Sequence, residues 1–206
     1  MDGQLLFRGD SILHLRPVRL SQLQDQVASA SDDQLANQDF LQELEADFIF
    51  RVPALDERHI STSEDTMEVV ATVVDAARLD VPVDSKVSVP VEKFHIPFSG
   101  DRDLFFVQPS TYLLTIPRVV VKSDEIIVAY RKDGKSIDEI RARFLSDIAA
   151  IRENLFTLEG NCSAYNFGLR HEIESAVEAE LVHRQQSERS DEKHASDVDV
   201  DEAHSG

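Results

Sequence analysis

The densest group of side chains able to do acid–base chemistry is His95, Asp101 and Asp103, with Arg102 between the two aspartates. A hydrolase uses such a set with the histidine as general base and a carboxylate to orient it or to hold a metal. The neighbouring residues weaken that reading. Ser99-Gly100-Asp101 is turn chemistry, in which the aspartate bonds its own backbone. No Gly-x-Ser-x-Gly elbow occurs, because Ser99-Gly100 lacks the leading glycine. His171, Glu174 and Glu178 share a helical face and could bind a transition metal. A di-iron bundle needs that motif twice, and the preceding helical stretch offers only Glu139, Asp147 and Glu153. An exposed charged face with an Arg170–Glu174 pair fits better. Asp133-Gly134-Lys135-Ser136 ends like a phosphate loop, but Ala129 stands where an upstream glycine is required. Cys162 is the only cysteine, so an intrachain disulfide and a cysteine-based zinc site are both excluded. It reads as a small buried hydrophobe. No catalytic residue, metal or cofactor is therefore assigned, and His95, Asp101 and Asp103 stand as candidates for an alternative, hydrolytic reading.

The elements that must position these residues change character along the chain. Residues 1–19 hold two short apolar runs, Gln4–Phe7 and Ser11–Leu15, that read as strands, the second ended by Pro17. Residues 20–46 have three- and four-residue apolar spacing and predict two short helices with a break around Ser29–Asp33. From 47 to 130 the period becomes two. Strands are expected at Phe48–Val52, Met67–Val74, the Val-rich stretch Val81–Val91, His95–Phe98, Leu104–Val107 and Tyr112–Ile116. A helix is also possible through Asp75–Leu79. Pro82 and Pro90 point to edge strands or bulges. The clearest hairpin joins Arg118–Lys122 to Glu125–Tyr130 across Ser123-Asp124. Strands at intervals of roughly ten residues suggest a sandwich or a rolled antiparallel sheet.

Ser136 with Glu139 makes a capping box for a helix with Ile140, Phe144, Ile148, Ile151 and Leu155 on one face. Gly160-Asn161 reads as a break, and Tyr165, Leu169, Ile173 and Val177 form the stripe of a second helix, giving an αα-hairpin over 136–186. Residues 187–206 carry seven acidic and two basic side chains and no Leu, Ile or Phe, and read as a disordered acidic tail. The expected fold is thus α+β: a single domain over 1–186 with helices at 20–46, a β core at 47–130 and the terminal hairpin.

Composition narrows the function. The chain has 206 residues, 39 acidic and 21 basic, for a formal net charge of −18. That field repels nucleic-acid phosphate and anionic membrane surfaces. No run of ~18 apolar residues could span a bilayer, and the first 20 residues do not have the pattern of a signal peptide. The expectation is a cytoplasmic protein with neither nucleic-acid nor membrane partners.

The string Phe94-His95-Ile96-Pro97-Phe98-Ser99-Gly100-Asp101-Arg102-Asp103-Leu104-Phe105, followed by Pro109-Ser110-Thr111, resembles an uncharacterised group of bacterial proteins with a core of the type "VPF-x-GD-x-x-LF … PST". The group's "VP-x-LD" step is matched by Val52-Pro53-Ala54-Leu55-Asp56, and its "FN-x-x-L" segment is matched in part by Tyr165-Asn166-Phe167-Gly168-Leu169. The resemblance spans residues 48–185 and implies common descent and a terminal helical pair, but no established activity. In the group such regions can precede an effector-like domain. Here the resemblance implies, as a further alternative, an accessory component of a bacterial conflict system whose effector is supplied by a partner.

The sequence therefore reads first as a non-catalytic interaction or regulatory protein. Two helices of ~22 residues reach roughly 33 Å, more than a small sheet covers. The expected contact surface, for a protein partner or for self-association into a homo-oligomer, is Phe144, Ile148, Ile151, Leu155, Tyr165, Leu169, Ile173 and Val177.

Overall fold

The computed structural model describes residues 3–111 and 118–202, with side chains as far as 190. In chain order its elements are β1 (Gln4–Leu5), α1 (Ile12–Ser29), α2 (Asp32–Leu35), α3 (Gln38–Phe48), β2 (Ala54–Leu55), β3 (Ser61–Val70), α4 (Val73–Leu79), β4 (Lys86–Ser99), β5 (Arg118–Val121), β6 (Glu125–Arg131) and α5 (Ile137–Glu202). Short 3-10 turns occupy Glu57–His59 and Arg102–Phe106. The fold is mixed α and β with antiparallel pairing. Two compact units are present: Met1–Ile12 with Arg51–Cys162, and Leu13–Phe50 with Ser163–Gly206.

The first unit is built on one sheet of order β1-β5-β6-β4-β2, with β3 also paired to β4. The expected hairpin forms as β5 and β6, with Val119 opposite Val128 and Val121 opposite Ile126. β4 is its central strand. Along it Phe94, Ile96 and Phe98 point to one face, which joins Ile126, Val128 and Tyr130 in a buried core with Ile140, Phe144, Ile148, Ile151 and Leu155 of α5. Phe94 and Phe144 stack with ring centroids 4.0 Å apart. The Tyr130 hydroxyl donates to Asp147 Oδ2 at 2.8 Å. Burial, and then the neighbouring Asp147 carboxylate, push that phenol up. The capping box at the start of α5 is present: Glu139 N–H donates to Ser136 Oγ, and Ser136 N–H to Glu139 Oε2.

α4 is tied to the end of β6 by charge. Thr72 and Asp75 form its capping box. The buried Asp75 carboxylate is bonded by Arg131, which also pairs with Asp133 at 2.6 Å, and Arg78 closes the ring on Asp133 at 2.6 Å. Arg131, followed by the Thr72 backbone, holds the Asp75 carboxyl far below the usual carboxylate range.

In the second unit Leu23 and Val27 of α1, Leu35, and Leu44 and Phe48 of α3 are buried, as are Tyr165, Leu169, Ile173 and Val177 of α5. The side-chain amide of Asn166 donates to Phe50 C=O and accepts from Phe50 N–H, both at 2.9 Å. The Arg184 guanidinium donates to the carbonyls of Ala28 (3.0 Å) and Ala30 (2.9 Å) at the end of α1, to Asp32 Oδ1 (2.6 Å) and to Glu180 Oε1 (2.7 Å).

Several expectations are corrected. The αα-hairpin is one continuous helix, α5. A helical glycine costs only about 1 kcal/mol relative to alanine, and the buried positions run without a gap through Leu155, Leu158, Cys162, Tyr165 and Leu169. Asn161 does not break the helix either, because its side chain bonds Ser110, accepting from the backbone N–H and donating to Oγ. α5 also continues through Glu202, across the stretch read as a disordered tail, since extending an existing helix costs far less than starting one. Of the run Ser11–Leu15, all but Ser11 lies in the first turn of α1, and Pro17 lies in that helix's second turn, where it removes one backbone hydrogen bond. Phe48–Val52 is not a strand: Phe48 ends α3, and Asn166 bonds Phe50 as a strand partner would. Leu104–Phe106 lies in a 3-10 turn, which buries Leu104 and Phe105 in succession as no strand face could. Pro90 lies inside the central strand rather than on an edge. Its carbonyl accepts from Lys132 N–H just past the last β6 pair, so the missing donor faces a ladder that has ended. The described strands make one sheet and not a sandwich. The strand expected at 112–116 lies outside the described residues.

Candidate functional site

Alternation along β4 sends Phe94 and Ile96 into the core, so Lys93 and His95 occupy the opposite, outer face of the sheet. The antiparallel register places Ser63 of β3 opposite Lys93, and Glu125 of β6 opposite Pro97. His95 is thus flanked diagonally on both sides. Its Nε2 lies 2.9 Å from Ser63 Oγ, and its Nδ1 lies 3.1 Å from Glu125 Oε2. Lys122 holds the other oxygen of Glu125 at 2.6 Å. That ammonium, then His95, keeps the Glu125 carboxyl below its ordinary value. With Nδ1–H donating to Glu125, Nε2 is left to accept the Ser63 hydroxyl. This is the order nucleophile, base, orienting carboxylate. Ser63 lies on a regular extended strand, however, and not on the sharp strand-to-helix turn that sets a serine beside oxyanion-binding N–H groups.

Asp101 and Asp103 do not join His95. The Asp101 carboxylate accepts from Arg51 N–H at 3.0 Å, and its own N–H donates to Arg51 C=O at 2.7 Å. The pair closes the turn at Gly100, whose φ is +103° and where a Cβ would meet Arg51 O at 2.8 Å. Asp103 extends into solvent with its side chain 91% exposed, 3.8 Å from Arg102. Arg170 and Glu174 form an exposed pair at 3.1 Å. Among the described residues, no group of three His, Cys, Asp or Glu side chains is arranged to hold a metal ion.

All eight side chains expected to form a contact surface are buried within the chain. Phe144, Ile148, Ile151 and Leu155 build the core of the first unit, and Tyr165, Leu169, Ile173 and Val177 are covered in the second. The expectation that they exceed what the chain can hide does not hold. Other residues of α5 carry the exposed apolar surface. In the first unit Leu145 is 63% exposed and Phe156 77%. At 3.6 residues per turn, Leu145, Ala149, Arg152, Glu153, Phe156 and Gly160 fall within an arc of about 100°, and all six are exposed. Their spacing is symmetric about the Arg152–Glu153 bond: Glu153, Phe156 and Gly160 follow it at the distances at which Arg152, Ala149 and Leu145 precede it. The residue types are complementary under that symmetry, large against small and positive against negative. Arg152 meanwhile pairs with Glu57 at 3.3 Å in an exposed contact, which is worth little.

The chain matches no family model, no curated protein and no solved structure.

The sequence signals one of these two features and not the other. Leu145 and Phe156 lie off the buried stripe and recur eleven residues apart, three helical turns, which is itself a sign of a second face. Ser63 and Glu125 gave no sequence signal at all, because only the strand register brings them to His95.

Proposed function

We propose that the chain is a non-catalytic interaction protein that pairs with a second copy of itself through the outward face of α5 between Leu145 and Gly160. One observation carries this reading: two large apolar side chains stand exposed on a helix face whose residues complement their own reverse. In an antiparallel pair related by a two-fold axis, Leu145 meets Gly160 of the second copy, Ala149 meets Phe156 and Arg152 meets Glu153, and each contact occurs twice. The small residues let the helices approach closely and give the large ones a place to pack.

Size-exclusion chromatography with light scattering on the full chain tests it. The wild type is expected to be a dimer, and Phe156→Glu a monomer with unchanged circular dichroism. Arg152→Glu sets like charges against Glu153 and weakens the dimer. Adding Glu153→Arg restores it, an outcome that only a self-complementary contact gives. A wild-type monomer at the highest soluble concentration, or a dimer indifferent to all three variants, refutes the reading.

A second reading, hydrolysis, is favoured by the Ser63–His95–Glu125 line alone. Labelling by a serine-reactive fluorophosphonate that is lost in Ser63→Ala and in His95→Ala supports it. An unlabelled wild type removes it.

A further inference from the structure

The sheet of the first unit has two faces, and α5 covers only one of them. An antiparallel sheet with a solvent face ordinarily turns polar side chains outward on that face. Here the strand registers place Met67 and Val69 of β3, Lys93 of β4, Ile127 and Ala129 of β6 and Val120 of β5 together on the outer side. They line a cavity of about 750 Å³, within the usual range of small-molecule sites. The lining mixes apolar side chains with charged ones. One polar group lies deep in it: Lys93 is only 7% exposed, and its ammonium is bonded by the half-exposed Asp65. Burying an ammonium in an apolar hollow is costly unless it is paired; among the described residues Asp65 is the carboxylate bonded to Lys93, and an ammonium carries three N–H donors. The rim adds Lys86 and Arg118 against Glu68. Three cations and two carboxylates thus line this hollow, in a chain whose net charge is −18.

We infer that the outer face of the sheet binds an amphipathic anion, with its apolar body on Ile127, Ala129 and Val120 and its acidic head at Lys93 and the rim cations. The class is an aliphatic or aromatic chain ending in a carboxylate or sulfonate. The volume holds one such molecule, and charge selects the acid over its neutral counterpart. The site is on the opposite face of the sheet from α5 and does not depend on how the helix pairs.

Titration of the full chain with 1-anilinonaphthalene-8-sulfonate tests this, followed by displacement with dodecanoate and with dodecanol. Saturable single-site fluorescence is expected, displaced by dodecanoate at roughly tenfold lower concentration than by dodecanol, a difference that one favourable charge contact supplies. Lys86→Glu, a surface change, is expected to weaken the probe several-fold. Ala129→Trp fills the hollow and is expected to abolish binding with circular dichroism unchanged. Absence of saturable fluorescence, equal displacement by acid and alcohol, or unaltered binding in both Lys86→Glu and Ala129→Trp overturns the inference.

Discussion

The two sides of α5 within the first unit differ in how their apolar residues are arranged. On the inner side Ile140, Phe144, Ile148, Ile151 and Leu155 follow one another every three or four residues, and each meets the sheet. On the outer side Leu145 and Phe156 stand alone, with Ala149 and Gly160 beside them and charges between. A continuous stripe of large side chains is what a core needs, because each gap leaves a cavity. Large residues alternating with small ones serve a contact between separate bodies, where knobs need holes on an equal partner. The lesson is that hydrophobicity along this helix serves two purposes, and that periodicity separates them.

Paired truncations separate the two faces of α5 by the largest effect. Phe144→Ala removes a stacked ring from a closed core and is expected to cost roughly 3–5 kcal/mol, read as a lowered urea midpoint. Phe156→Ala is expected to change monomer stability by less than about 0.5 kcal/mol while weakening self-association in sedimentation velocity. If the two variants have equal effects on folding, the distinction between the faces fails.

The glycines sharpen it. A Cβ added at Gly160 or at Gly168 meets nothing within 4 Å, so alanine at either site is expected to stabilise the helix by about 0.5–1 kcal/mol. Gly160→Ala should at the same time loosen the dimer, because it fills the space proposed for Leu145 of the second copy. Gly168→Ala, which is outside that contact, should leave the dimer as it is. Thermal melts together with dilution series distinguish the two.

A smaller effect separates the helix from the charged ring at α4. The Asp75 carboxyl titrates lower when folded than when unfolded, mainly because Arg131 bonds it. Its contribution is therefore complete above the unfolded value, near 3.9, and fades as the pH falls below that toward the folded value. Asp75→Asn is expected to flatten the acid limb of the stability curve. Self-association should keep its pH profile, since none of the six residues of the proposed contact belongs to that ring.

Much of this architecture was legible in the letters, and the failures have physical causes. Ser136 with Glu139, and the Val- and Ile-rich arms around Ser123-Asp124, encode a cap and a hairpin through contacts a few residues apart, and both form. Gly160 looks like a break in local spacing, but its cost of about 1 kcal/mol is outweighed by the buried side chains on both sides of it, Leu158 and Cys162. Phe48 and Phe50 alternate as a strand would, yet Asn166, more than a hundred residues away, supplies the bonds. His95 stood out as a reactive side chain, but its partners come from register, and Asp101 proved to be a turn closer. Side-chain chemistry that depends on strand pairing across thirty residues leaves no trace in local spacing.

The fork of Arg184 has a practical consequence for anyone dissecting the protein. Four acceptors converge on one guanidinium, two of them carbonyls at the end of α1. A shortened version ending before that arginine leaves those carbonyls without their donor and frees the first helix to fray from its far end. Truncations that remove the acidic end of the helix should therefore keep Arg184. A protease ladder read by mass spectrometry would place the onset of instability there.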